Sequence, residues 1–138
     1  MAKARNTRDV GLQSRDEAPF PASDPFEQRI RQLRALAPDD VENTPNEQSI
    51  RRARGLLKRI RLMTRSTQNT AHLAHPFVTL IGDGIIQMEW KHGERYMEAE
   101  VPPKGPFSVW HENPSGEGEA HPRDVEEMTE LFVLFWQS

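Results

Sequence analysis

Five basic side chains, Arg51, Arg54, Lys58, Arg61 and Arg65, recur at spacings of three, four, three and four residues. On a helix turning ~100° per residue they fall in one stripe roughly 80° wide. Arg52 and Arg59 lie beside it, and no acid occurs between Gln48 and Gly82. A row of cations on one helical side can follow a nucleic-acid backbone, each phosphate contact releasing counterions. A solvated side, or one neutralised by the chain's own acidic half, is the simpler account, because no aromatic residue interleaves the stripe to stack on bases.

Carboxylates offer a second chemistry. Glu89, Glu98 and Glu100 alternate along two neighbouring segments so that they share one side of a sheet. Paired carboxylates serve glycosidases and metal enzymes, yet alternation alone produces such a row on any half-exposed strand. Glu117, Glu119, Asp124, Glu126, Glu127 and Glu130 follow, the later ones near a helix start where negative charge suits the macrodipole. Of His72, His75, His92, His111 and His121, only His72-x-x-His75 has ligand spacing, and it sits in a connector ended by Pro76 with no third ligand indicated. Gly82-Asp83-Gly84 lacks the lysine and following helix of a phosphate-binding loop, and a hairpin turn explains it. No serine stands in a nucleophile elbow. With no cysteine there is no thiol nucleophile, disulfide or thiolate metal site. Glu89, Glu98 and His111 are the best groups an enzyme could use, with no spacing that joins them. The chain reads as non-enzymatic, with no cofactor, no metal and no small-molecule substrate indicated.

These residues need elements to hold them. Asp24-Pro25-Phe26-Glu27 supplies an N-cap, a proline at the first helical position and a glutamate three residues on. Phe26, Ile30, Leu33 and Leu36 or Ala37 then form an apolar stripe that Pro38 ends. Thr44-Pro45-Asn46-Glu47 announces a second helix, running to Thr64 or Arg65, with Ile50, Ala53, Leu57 and Ile60 facing a core. After a polar connector at 66–75 the period becomes that of strands. Phe77 to Ile81, Ile85 to Lys91, Arg95 to Val101 and Phe107 to His111 are four segments separated by turn residues. With His92-Gly93 as a two-residue turn, Met88 faces Met97, Ile86 faces Ala99 and Trp90 faces Arg95 on a dry side. Glu89 with Tyr96 and Gln87 with Glu98 then make a wet side. A loop, ENPSGEGEAH, leads to a last helix beginning near Pro122, with Val125, Met128, Leu131, Phe132 and Phe135 on one side.

The expected fold is α+β: an antiparallel four-stranded β-meander with helices packed on one face, in the order α-α-β-β-β-β-α. It forms a single domain over residues 23–138 behind a disordered N-terminal arm, residues 1–22, which carry few large apolar residues and no periodicity. Residues 1–82 hold 14 Lys/Arg against nine Asp/Glu, and residues 83–138 hold four against twelve, so a net charge of -3 conceals a basic half and an acidic half. The basic start has no apolar stretch behind it, and the longest apolar run, Leu131 to Trp136, is too short to span a bilayer. A cytoplasmic protein with no membrane contact is expected.

That run, LFVLFW, is apolar all the way round a helix. Leu131, Phe132 and Phe135 continue the stripe of Val125 and Met128, which leaves Val133 and Leu134 pointing elsewhere and Trp136 near the boundary. Exposed apolar side chains grouped in this way mark an interface. Val133, Leu134 and Trp136 are therefore expected to meet a second chain, either another copy or a different protein.

The stretch PFVTLIGDGIIQMEWKHGERYMEAEV resembles a group of small uncharacterised bacterial proteins with a G-x-I-Q-x-E-W hairpin pattern. The matching residues are Pro76, Val78, Gly84, Ile86, Gln87, Glu89, Trp90, Glu98 and Glu100. The resemblance implies an accessory or antitoxin-like partner and transfers no catalytic residue. The expected function is thus a non-catalytic protein-interaction module, an accessory or regulatory subunit of a bacterial complex. The alternative is a nucleic-acid-binding protein using the basic helix at 45–65.

Overall fold

A computed structural model describes residues 18–36, 44–65 and 68–137. Helix α1 spans Pro25–Leu36. Its cap is Asp24, whose Oδ2 accepts the Phe26 amide at 2.9 Å, and Pro25 sits where a missing N–H costs nothing. Glu27 does not turn back to complete a capping box; it is buried and points toward the next helix. Helix α2 spans Glu47–Thr64 and is capped by Asn46, not Thr44, its side chain accepting from the Gln48 and Ser49 amides at 2.8 and 3.2 Å. Helix α3 spans Val125–Gln137. There Asp124 accepts the Glu127 amide at 2.9 Å. No described helix is long and apolar enough to cross a membrane.

Five antiparallel strands, one more than expected, lie side by side in chain order: β1 (Phe77–Ile81), β2 (Ile85–His92), β3 (Arg95–Val101), β4 (Ser108–Asn113) and β5 (Gly116–Ala120). The order is therefore α-α-β-β-β-β-β-α. The added strand is GEGEA, inside the stretch expected to be a loop. Glycine and glutamate have little strand preference of their own, so pairing with β4 supplies what propensity does not. Gly118 also leaves room for an imidazole, since a Cβ there would lie 2.8 Å from His111 Cε1.

The β2–β3 turn is Gly93-Glu94 and not His92-Gly93, because His92 pairs with Arg95. Gly93 takes φ +61°, which suits the first central position of a type II′ turn. Cross-strand partners therefore differ from those expected: Met88 meets Ala99, Trp90 meets Met97 and Ile86 meets Val101. A slip of two residues leaves every side chain on the face it had. The dry and wet sides stand as read, but Glu89 now lies opposite Glu98 and Gln87 opposite Glu100.

All three helices pack on the dry side. The core joins Phe26 and Ile30 of α1, Ile50, Leu57 and Ile60 of α2, and Met128 and Phe132 of α3 to Met88, Trp90 and Met97 of the sheet. Each such side chain contributes roughly 1.5–3 kcal/mol by leaving water. Polar pins fix the layer in place. Ser49 Oγ accepts the Ile86 amide at 2.8 Å and donates to the Val101 carbonyl, closing the end of the β2–β3 ladder. Arg52 donates to the Pro102 and Gly105 carbonyls at 2.6 and 2.8 Å. Trp90 Nε1 donates to the Leu73 carbonyl at 3.0 Å, holding down the 3₁₀ segment Gln68–Ala74.

Most of the expected arm, residues 1–17, lies outside the described residues. Phe20, placed in that arm by composition, packs against the core instead, edge-on to Phe26 with ring centroids 6.1 Å apart.

Candidate functional site

The basic stripe is divided by its neighbours. Arg54 is buried, and its Nε and Nη2 donate to the two oxygens of Glu27 at 2.7 and 2.6 Å. Arg61 donates to Asp24 at 2.6 and 3.2 Å and to the Ala74 carbonyl at 3.0 Å. The Arg61 guanidinium lies 4.2 Å from the Phe20 ring centroid and Lys58 Nζ 5.7 Å from it. Burial pushes the Asp24 carboxyl up, but hydrogen bonds from Arg61 and the Phe26 amide, with the charge of Arg61, more than offset this and hold it below the ordinary range. Arg51 and Arg65 stay exposed. The acids that meet Arg54 and Arg61 thus belong to α1 and its cap, in the chain's basic half.

The C-terminal run is divided too. Leu134 is 69% exposed. Val133 is half-buried and lines, with Met63, Thr64, Leu73, Phe132 and Trp136, an apolar groove of ≈ 140 Å³. Val133 and Leu134 therefore do not stand out together, because α2 flanks the side of α3 that carries Val133. Trp136 is half-buried against Phe135, with centroids 4.9 Å apart, and its buried Nε1 finds no hydrogen-bond partner among the described residues.

The enzyme candidates do not converge. His111 lies on the covered side of β4, against Phe135 at 5.4 Å, whereas Glu89 and Glu98 lie on the opposite side of the sheet. His72 stacks on His92, centroids 3.9 Å apart, and burial followed by the His92 charge lowers its pKa. Among the described residues no three His, Asp or Glu side chains are grouped to hold a metal ion.

What the strands do bring together is the open side of the sheet. The register sets two rows across it: Phe77, Glu89, Glu98, Trp110 and Glu119 in one, and Lys91, Tyr96, Glu112 and Glu117 in the next. Strands stand about 4.8 Å apart, so neighbours within a row are in contact range. Glu100 shares this side, making six glutamates against Lys91 as the one cation on the strands' open side. A hydrogen-bond network fixes the surface. Tyr96 donates to Glu98 at 2.7 Å, Trp110 Nε1 to Glu112 at 2.8 Å, and Gln87 to Glu89 and Glu98 at 2.8 and 3.3 Å. Burial, the bond to Glu98 and the charges of Glu89, Glu98 and Glu112 all push the Tyr96 phenol well above its ordinary pKa. Phe77 is 57% exposed at the edge. Beside it a hollow of ≈ 240 Å³ is lined by His72, His75, Phe77, Glu89, Lys91 and Tyr96.

Trp110 and Glu112 were not singled out in the sequence. The signal was present in the alternation of SVWHEN, which puts them on the side opposite the buried Val109. Chemically this surface presents carboxylate acceptors beside flat rings, an arrangement suited to binding cations. Comparison with protein-family models, curated proteins and solved structures finds no match for the chain.

Proposed function

We propose that the chain is a non-catalytic protein-interaction module, an accessory or regulatory subunit of the kind implied by the antitoxin-like resemblance of its hairpin. The observation that carries this reading is the open sheet side, where Tyr96 and Trp110 stand among fixed carboxylates away from the helices, with Phe77 exposed at its edge. Aromatic side chains of this type are enriched where proteins meet. The exposed Leu134 on α3 offers a second contact for another copy or a different chain.

Co-purification from the host with Trp110→Ser/Tyr96→Ser, and separately with Leu134→Ser, tests the reading. The expected result is that the partner is lost with the sheet variant and the fold, judged by circular dichroism, is kept. A partner retained by both variants, or none recovered with the wild type, defeats it.

Nucleic-acid binding by α2 is the second reading, and the exposed Arg51 and Arg65 favour it. Its test is salt-dependent binding to mixed DNA or RNA that Arg51→Gln/Arg65→Gln weakens. Substituting Arg54 or Arg61 would not test it, because their ion pairs hold α1 in place.

A further inference from the structure

We propose that the open side of the sheet docks an extended, arginine-bearing segment of a partner protein. This rests on the interaction-module reading and names the chemistry of its partner. The argument begins with charge. Glu89 faces Glu98 and Glu112 faces Glu117 directly across neighbouring strands. Like charges so placed destabilise a sheet. Gln87 bridges the first pair, while Glu100, Glu117 and Glu119 enter no ion pair among the described residues. A cation laid over these rows relieves the repulsion, so the surface is complementary to positive charge and opposed to a phosphate backbone.

The flat rings select among cations. Trp110 lies between Glu98 and Glu119 in its row, and Tyr96 between Lys91 and Glu112 in the other. The polar tip of each ring is already tied to a carboxylate, so what remains for a partner is the ring itself and the free oxygens beside it. A guanidinium stacks on a ring while its N–H groups reach carboxylates in the same plane, which an ammonium cannot do. The spacing favours an extended segment. Tyr96, Glu98 and Glu100 repeat along β3 at about 6.8 Å, the interval at which alternate side chains of an extended peptide also recur.

The test titrates the full chain with three nonapeptides in which threonine alternates with arginine, lysine or glutamate, at low and physiological salt. The arginine peptide is expected to bind, the lysine peptide several-fold more weakly, and the glutamate peptide not at all. Glu112→Gln/Glu117→Gln/Glu119→Gln, three exposed positions, is expected to weaken the arginine peptide about tenfold or more and to flatten its salt dependence. Trp110→Ser should weaken it at low and high salt alike, and Leu62→Ser, an exposed position on α2, should leave it unchanged.

Equal binding of the arginine and glutamate peptides, or equal binding by the triple variant, overturns the proposal. So does tighter binding by Lys3→Gln/Arg5→Gln/Arg8→Gln, which would make the chain's own N-terminal segment the occupant. Self-association abolished by the triple variant would make the occupant a second copy. If no arginine peptide binds while Trp110→Ser/Tyr96→Ser still loses the co-purified partner, the partner's chemistry is wrong and the module reading stands.

Discussion

Replacing Arg54 by methionine removes one half of an ion pair that α1 and α2 close between them. Both side chains are nearly dry, with 9% and 7% of their surfaces exposed, and the guanidinium makes two contacts at 2.6 and 2.7 Å. Without it, Glu27 keeps, among the described residues, the Phe20 amide at 3.2 Å as a donor. Breaking a buried pair from one side costs about 3–5 kcal/mol, a large share of a total that runs to about 5–15 kcal/mol. For a domain of this size that lowers the thermal midpoint by roughly 10–20 °C. Arg54→Lys keeps the charge but loses the fork, so it should fall between the two. Glu27→Leu/Arg54→Met removes both desolvation penalties together and should recover most of the loss. Guanidinium unfolding followed by circular dichroism gives the midpoints, with an unchanged slope as the check on two-state behaviour. An Arg54→Met unfolding free energy within about 1 kcal/mol of wild type, or a double variant less stable than the single, refutes the view that this pair anchors α1.

Phe20→Ala should cost about 1–2 kcal/mol in the same assay, because the ring packs on Phe26 and lies under Arg61; no loss would return residues 18–22 to the arm. Gly84→Ala should cost more than about 2 kcal/mol, since its φ is +73° and an added Cβ would meet the Thr44 carbonyl oxygen at 2.3 Å. Tyr96 is the chain's one tyrosine, so tyrosinate absorbance reports it alone. Its raised pKa keeps the phenol neutral in the fold, so its contribution is intact below the unfolded value of about 10 and is lost as pH rises beyond it. Tyr96→Phe should flatten that alkaline loss, and ordinary titration of the phenol in the folded chain would count against the acidic surface.

The helices were legible because their signals are local. Proline and a capping side chain mark each start, and the apolar period marks the buried side, so Phe26, Ile30, Ile50 and Ile60 are core as read. Faces of the sheet were legible for the same reason, since alternation survives a slip of two. The register was not, because Gly93 can occupy either central position of a two-residue turn and only pairing along the whole of β2 and β3 chooses between them. Strand β5 was hidden by composition, as its glycines and glutamates have no strand signal apart from the partner beside them. The basic stripe shows the same boundary from the other side. Its spacing gives the direction of Arg54 and Arg61 correctly, but spacing along one helix carries no information about what lies across it. Asp24 and Glu27 had been assigned to capping alone, and each turns out to hold a cation of α2.

The width of the layers makes the open side of the sheet the natural place for an unmet contact. Five strands at about 4.8 Å are matched by helices about 10 Å across, so three helices laid side by side cover one face of such a sheet and leave none for the other. A face left to water is ordinarily polar throughout, and here most positions obey that. Ile81 and Ile85 at the β1–β2 end do not, nor do Phe77, Tyr96 and Trp110, and each of these three rings is coupled to charge. Tyr96 and Trp110 donate to Glu98 and Glu112, while Phe77 lies 5.6 Å from the Arg29 guanidinium. Solubility alone would be served better by smaller polar side chains at these positions, and stability better by separating Glu89 from Glu98 and Glu112 from Glu117. The arrangement is unfavourable for an isolated domain on both counts and becomes favourable once a cationic, planar group lies across the rows.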